Sequence, residues 1–360
     1  MLNRFWPFAI KPTIQLIRLG YLALYTAKLK VVQKASNYRM TSFMWYVGMR
    51  VARSIPLILI VVIINFTLIH LAPGDPVFIL EPEASPEFIE ETRERLGLNK
   101  PLWEQLVLYI IQVLKGDLGR SYRQGEPVLD VIARKVPPSL MLAGCALIVA
   151  ITFGILLGTL SSKKPYSLLD NLSTSTSLFG YSIPTFWLGQ ILIIVFSVML
   201  GLFPTGGMQD VRTKLTGFPY ILDVLWHLVL PVITLSVYNL AVIARLTRGN
   251  MLKVLREDYI TMAKAKGCSE SIVIYKHALK NALLPVITWI GLAVGYLLFG
   301  AIMTEIVFSW PGLGRLLYSS LFARDYPVLM GLFIILSITV IISNLVTDII
   351  YARIDPRIHI

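Results

Sequence analysis

Apolar residues arrive along this chain in six long blocks, at 54–72, 138–160, 172–202, 223–244, 282–304 and 327–352. Each is long enough for a helix of about 20 residues to cross a bilayer core. None alternates at the two-residue period of a strand, which excludes a barrel built from alternating segments of about ten residues. Between the first two blocks lie 65 residues, 73–137, with patterns of their own. Ala72-Pro73-Gly74-Asp75-Pro76 predicts a rigid turn that stops the helix leaving the first block. Ser85-Pro86-Glu87 predicts a short acidic helix, with serine at the cap and proline at the first helical position. A second, amphipathic helix is predicted around 102–114. The pattern describes an all-α integral membrane protein with six transmembrane helices and a small extracytoplasmic subdomain between spans one and two. That subdomain is large enough to shape an entrance and small for a core of its own.

Composition agrees: of 360 residues 56% are apolar and only 15% charged, with a mean hydropathy of +0.69. Soluble domains carry about 25% charged residues. A net charge of +12 would point to nucleic acid in a soluble chain. Here the basic residues sort by topology instead. With the N-terminus inside, the cytoplasmic pieces 1–53, 161–171, 245–281 and 353–360 hold 21 Lys or Arg against 5 acids. The opposite pieces 73–137, 203–223 and 305–326 hold 12 basic and 15 acidic residues. Both termini are therefore read as cytoplasmic, and no nucleic-acid partner is expected. The first 43 residues lack an apolar run with a small-residue cleavage site, so span one is read as an uncleaved signal anchor. The organisation is a basic extension (1–43), a first span with the outer subdomain (44–137), a core of five spans (138–352) and a short cytoplasmic tail (353–360). The extension either lies as a helix on anionic lipid or serves only to enforce orientation.

The spans are built for close approach and for interruption. Gly154 and Gly158, and Gly291 and Gly295, sit four apart and let helix backbones meet. Pro184, Pro231 and Pro285 open or break helices, which a membrane tolerates where neighbours or a cavity satisfy the freed backbone groups. Ionisable groups within the spans are nearly absent: Asp348 near the inner end of span six and His227 near the outer end of span four. An ion-driven carrier needs such groups near the midplane, and a channel needs a filter or charged ring. The sequence offers neither. It also lacks a phosphate-binding loop of the G-x-x-x-x-G-K-[ST] kind, an H-E-x-x-H helix and a G-x-S-x-G turn. Cys145 and Cys268 are too few for a metal site or a disulfide framework. No catalytic residue, metal site or cofactor is expected in this chain, and the sequence assigns no substrate-contacting residue.

The informative segment lies between spans four and five. Glu257 and Asp258 favour a helix N-terminus, Lys264 and Lys266 its C-terminus, and Gly267 is placed to end it. Ser269 then suits the cap of a second helix. Tyr259, Ala263 and Gly267 recur every four residues and so share one face, an aromatic anchor followed by two small residues, suited to a groove on another protein. Asp258, Tyr259, Ala263, Lys266 and Gly267 are the candidate docking residues.

That segment resembles the E-A-A-x-x-x-G loop of ABC-importer permeases. Ala263 takes the second alanine and Gly267 the glycine, while Thr261 and Met262 replace the glutamate and first alanine. Further segments resemble the dipeptide/oligopeptide permease family: Leu71-Ala72-Pro73-Gly74-Asp75-Pro76, Leu96-Gly97-Leu98, Lys115-Gly116-Asp117-Leu118-Gly119 and Ser182-Ile183-Pro184-Thr185-Phe186-Trp187. Others are Arg256-Glu257-Asp258-Tyr259, His277-Ala278-Leu279-Lys280-Asn281-Ala282-Leu283-Leu284-Pro285, Phe308-Ser309-Trp310-Pro311-Gly312-Leu313-Gly314, Arg324-Asp325-Tyr326-Pro327 and Asp355-Pro356-Arg357. They run in order over about 44–360, and the early Pro-Gly-Asp-Pro turn resembles the first of the two permeases such importers carry. The resemblance implies the type I permease fold in the plasma membrane of a prokaryote. It implies a second homologous permease as heterodimer partner, two ABC ATPase subunits on the cytoplasmic loops and an external solute-binding protein. ATP and Mg would bind in the ATPase subunits, so the permease itself is no enzyme. The solute would be a peptide, with oligosaccharide or nickel as alternatives within the same complex type; an ion-coupled carrier and a passive channel are the readings from other classes.

Overall fold

The structure, a computed structural model, describes residues 48, 49, 52–67, 87, 90, 91, 93, 94, 99–213 and 215–354, with backbone alone at 295–300 and 347–354. The extension 1–43, the Pro-Gly-Asp-Pro turn, the start of the short acidic helix, Leu96-Gly97-Leu98, the Asp348 side chain and the tail from Asp355 lie outside the described residues. Nearly all described residues fall in one compact unit, Leu57–Ile354; the smaller unit, Met1–Pro56 with Asp355–Ile360, contributes only a few helical residues before Leu57.

Helices account for the regular structure among the described residues, where the sole strand-like pairing is an isolated bridge between Arg120 and Pro127. Ala52–Thr67 (α1) and Leu102–Leu114 (α2) lead to Val128–Ala133 (α3) and Val136–Lys163 (α4). Leu168–Ser182 (α5) and Thr185–Leu192 (α6), the latter continued by π-helical Ile193–Met199, precede the long Phe218–Val254 (α7). Asp258–Ala265 (α8) follows, then π-helical Ile272–Ala278 running into Leu279–Ala282 (α9). Leu284–Gly300 (α10), Ile302–Val307 (α11), Leu313–Phe322 (α12) and Tyr326–Ile354 (α13) complete the order.

Three stretches are long and apolar enough to cross a bilayer: Val128–Lys163, Phe218–Val254 and Tyr326–Val346. Two bent pairs would each make another: α5 with α6 and its π-helical extension, at 104°, and the helix ending at Ala282 with α10, at 51°. The third apolar block is thus a broken helix, and its break has a local cause. Pro184 has no N–H and pushes its predecessor out of the helical region; Ile183 is extended, with φ −77 and ψ 127. The fourth block shows where hydropathy misleads. The sequence ends it at 244, where Arg245 and Arg248 begin a charged run, yet α7 continues to Val254. At 1.5 Å per residue it is about 55 Å long, well beyond a bilayer core of about 30 Å. A helix does not stop where it becomes polar if its charges find partners, and Arg248 has one.

Helix α4 is the spine. Gly154 and Gly158 press it against α7 as the small-residue spacing predicts. A Cβ on Gly154 would lie 2.8 Å from Ile243 Cγ2, and one on Gly158 only 2.6 Å from Thr247 Cβ. Above this seam, Leu142, Ala143 and Ala146 pack with Val224, Leu228, Leu235 and Trp310. A second core gathers α1, α2, α3, α12 and α13 around Val128, Ile132, Leu313 and Leu332. A third holds Met251 of α7 with Ile260 and Ala263 of α8 and Val273 and Ile274 behind them.

Candidate functional site

Helix α8 begins as its sequence demands. Glu257 is extended at the N-cap, and its carbonyl accepts from the backbone N–H of Ile260 at 3.0 Å and of Thr261 at 3.3 Å. It ends on Gly267, whose φ of +81 only glycine adopts without strain. Cys268 N donates to Ala263 O at 3.2 Å and Gly267 N to Lys264 O at 3.0 Å. This pair of bonds is the Schellman closure that satisfies the last carbonyls. A further helical stretch starts at Glu270, directly after Ser269.

The candidate residues divide into two faces. Tyr259 is 39% exposed and Met262 58%, with Asp258 and Lys266 also open to solvent. Tyr259 Oη is fixed by a hydrogen bond from Asn281 Nδ2 at 2.7 Å. Ala263 lies between Tyr259 and Ile260 around the helix, and its small side chain is buried with Ile260 on Val273 and Ile274 rather than open beside Tyr259. The physical reason is the seat beneath: α8 buries its one strongly apolar side chain, Ile260, and Ala263 falls beside it, three residues on. Gly267 has open space around its Cα.

The segment is tied to the bundle by a buried ion pair that the sequence reading did not single out. Asp170, in the first turn of α5, is 1% exposed. Arg248 of α7 reaches it with two nitrogens: Nε contacts Oδ1, and Nη2 donates to Oδ2 at 2.8 Å. The N–H of Tyr166 donates to Oδ2 as well, at 2.8 Å. Nearby, Lys163 Nζ at the end of α4 donates to Tyr275 Oη at 3.2 Å and lies 5.0 Å from that ring's centroid.

At the other end of α4, two more carboxylates are buried with no cation paired to them among the described residues. Glu305 of α11 is completely buried. It accepts from Ser139 Oγ at 2.5 Å, from Gly314 N at 2.7 Å and from Arg315 N at 3.2 Å. The last two are first-turn donors of α12, so Glu305 caps that helix from outside it. Ser139 in turn accepts from Leu313 N at 2.7 Å, and Trp310 Nε1 donates to Pro138 O at 2.9 Å. Burial pushes the Glu305 carboxyl above the usual carboxylate range, against the pull of its three donors. Asp325 accepts from Ser121 Oγ at 2.5 Å and from Tyr122 N at 3.0 Å, joining the loop before α3 to the start of α13. Burial, then the charge of Asp325, pushes the Tyr122 phenol up to about 12. The non-glycine residues with left-handed backbone among those described are Tyr166, Ser309 and Arg324. Each stands in the turn beside one of these carboxylates, where strain of this kind is held in place by the surrounding bonds.

Glu305 and Asp170 were legible only as lone acids at the edges of apolar blocks, and Asp325 only as part of a quoted motif. Between the two ends, α4, α6, α7 and α10 surround a cavity of about 330 Å³. Thr185 at the helix break, Tyr238, Asn239 and Trp289 give it neutral polar groups, and Ala146 and Ala293 give it room. Tyr238 stacks on Tyr181 of α5 at 5.2 Å between centroids. His227, by contrast, makes its polar contacts with Asp223 of its own helix, through the backbone oxygen at 2.8 Å and the carboxylate at 3.3 Å.

Comparison with known proteins gives a consistent result. The family model described as binding-protein-dependent transport system inner membrane component matches residues 150–360, and the N-terminal model of the same kind of membrane component matches 43–143. The oligopeptide transport system permease protein AppB of Bacillus subtilis (strain 168) is 43% identical over 316 residues, covering 87% of this chain and 99% of that one. The dipeptide transport system permease protein DppB of Escherichia coli (strain K12) is 42% identical over 329 residues, covering 86% and 97%. The glutathione transport system permease protein GsiC of Escherichia coli O6:H1 is 42% identical over 315 residues, covering 87% and 98%. Among solved structures, the inward-facing MetNI methionine ABC transporter aligns with a TM-score of 0.50 at 18% identity, over 63% of this chain and 97% of that one. That likeness speaks to the fold alone.

Proposed function

The chain belongs to the family of binding-protein-dependent transport inner membrane components, the ABC transporter permeases, and on that premise we propose that it is the first of two permeases in an ATP-driven peptide importer. The observation that carries the reading is α8: a short helix seated on its own apolar underside, with Asp258, Tyr259, Met262 and Lys266 left open. An ATPase subunit would hold that face in a groove. The four-domain core would be this chain, its homologous partner permease and two ATPase subunits, with an extracytoplasmic binding protein delivering the peptide. ATP and Mg would be bound by the ATPase subunits, and this chain would supply no catalytic group.

The proposed topology has six spans, both termini in the cytoplasm of a prokaryote, and residues 73–137 outside. The proposed division into extension, first span with outer subdomain, five-span core and tail follows the same boundaries as the charge pattern. Coupling then has a physical route. The turn from α7 to α8 is hydrogen-bonded at every step, through Leu255 N to Met251 O, Arg256 N to Lys253 O and Glu257 N to Val254 O. A displacement of α8 therefore reaches α7, and the Asp170–Arg248 pair passes it to α5. Helix α5 ends at the break beside the cavity, where Thr185 stands. Peptide would pass along these neutral polar groups while nucleotide binding shifts the population between inward- and outward-open states.

The test is uptake by the purified complex in proteoliposomes. Labelled dipeptide should accumulate with ATP and binding protein present, and should continue when ion gradients are dissipated. Uptake that stops with the gradients while ATP remains would overturn the reading. For topology, a cysteine near Glu90 should be labelled from outside in intact cells, and one near Lys264 only after permeabilisation. Reversed labelling would invert the assignment.

A further inference from the structure

Helix α2 has three faces, and the fold accounts for only one of them. Leu106, Tyr109, Ile110 and Val113 pack on the core shared with α1, α3 and α13. A second stripe, Trp103, Val107, Ile111 and Leu114, recurs at spacings of four, four and three, so it runs along one side of the helix. All four are exposed, Trp103 at 68% and Leu114 at 76%. The third stripe, Glu104, Leu108, Gln112 and Lys115, has the same spacing and is largely polar. On a wheel of 100° per residue the exposed apolar stripe adjoins the packed face, and the polar stripe lies beyond it.

Water does not suit such a helix. Its outward apolar stripe includes a tryptophan, and lysines stand just beyond its two ends: Lys100, paired to Glu104 at 3.0 Å, and Lys115 at the C-cap. It lies against α1: the Tyr109 ring stacks on Phe66 at 6.3 Å between centroids. Helix α1 itself shows Ile60, Ile63 and Ile64 outward at 51%, 42% and 50% exposure, the surface of a helix in lipid. Helix α2 thus packs on a helix whose other side is apolar and exposed, the side that lipid covers on the membrane placement of the chain.

We propose that α2 is an interfacial helix, with the Trp103–Val107–Ile111–Leu114 stripe sunk into the headgroup and acyl boundary of the bilayer beside α1. A partly apolar helix with a polar crest, aromatic and lysine residues at its ends, and a length too short to span is suited to that position. It would anchor the segment between α1 and α3 to the membrane on a second side. The occupant is lipid rather than the binding protein or the partner permease. The proposal rests on the membrane placement of the chain and is independent of which solute it carries.

Spin labelling of the assembled complex in lipid nanodiscs reads the occupant directly. Cys145 and Cys268 are first replaced by alanine, and labels are placed singly at Val107, Ile111 and Gln112, keeping only variants that retain ATP-driven uptake. Labels at 107 and 111 should relax with oxygen and be shielded from a water-soluble nickel complex, and the label at 112 should show the reverse. Nickel access at 107 and 111 equal to that at 112 would overturn the proposal in favour of a water-filled surface. Shielding of 107 and 111 from both reagents would overturn it in favour of a protein partner.

Discussion

The two ends of α4 meet buried carboxylates in opposite ways. Near Gly158, Asp170 faces a guanidinium; near Ser139, Glu305 faces a hydroxyl and two backbone N–H groups, with no ion-pair partner among the described residues. Nineteen residues of helix separate Gly158 from Ser139, roughly 30 Å and about the thickness of a bilayer core. The chemical difference matches what each end has to do on the proposed topology. The end proposed to receive the ATPase would need a joint that carries force between α5 and α7, and a two-nitrogen Arg–carboxylate contact fixes both distance and angle. The other end needs to hold α11, α12 and α4 together at a turn, which hydrogen bonds to helix-end donors accomplish without a second charge.

The sharpest way to break the contrast is to remove Arg248. Arg248→Ala leaves Asp170 buried and unpaired, and should cost about 4 kcal/mol of stability. Arg248→Lys keeps the charge, loses the fork and should fall between. Thermal unfolding of the complex in detergent measures both; a loss below about 1 kcal/mol for the alanine variant would mean the pair carries no strain-bearing contact. Glu305→Ala comes next. It strands the Ser139 hydroxyl and the Gly314 and Arg315 donors together, at about 3 kcal/mol. No opposite charge is left behind, which is why the expected loss is the smaller one.

Protonation separates the ends further. The Glu305 carboxyl is raised by burial, with Ser139, Arg315 and Gly314 opposing. A carboxyl that binds its proton more tightly in the folded than in the unfolded state favours folding most below its unfolded value. That contribution is lost as pH rises through the folded value. Stability of the α11–α12 region should therefore decline on going from mildly acidic to neutral pH, and Glu305→Gln should flatten the slope. Amide exchange at 309–316 across that range reads it; an unchanged slope in the glutamine variant would assign the pH dependence elsewhere. Ser121→Ala should have a smaller effect, about 1.5 kcal/mol, from the lost hydrogen bond to the Asp325 carboxylate and the one accepted from Gln124 N. Faster exchange confined to 119–127 is the expected signature.

The sequence makes much of the frame legible and less of these joints. Apolar blocks announce helices because burial in lipid tolerates little else, and the glycine pairs and Pro184 act through local backbone geometry that travels with the residue. Gly267 is of this kind, and its left-handed turn stands where the helix pattern stops. The boundary of α7 was not legible, because Arg245 and Arg248 look like the end of a span until Asp170 is known to lie opposite one of them. The burial of Ala263 was not legible for a related reason. A four-residue spacing fixes which side chains share a face but not which face is covered, and the seat made by Val273 and Ile274 comes from residues ten or more positions away. Glu305 was invisible as a site because its partners, Ser139 and the first turn of α12, come from separate parts of the chain.

The most direct test of docking through α8 is Met262→Glu, at a side chain that the fold leaves 58% exposed. An exposed substitution of this kind should change the stability of the permease by less than about 0.5 kcal/mol, in contrast to Ala263→Arg, which would disrupt the helix's own seat. Docking through α8 predicts a membrane-inserted permease that still pairs with its partner permease but has lost its ATPase subunits, or retains them with ATP hydrolysis no longer yielding peptide uptake. Full ATP-driven uptake by the Met262→Glu complex would contradict the assignment of α8 as the docking element.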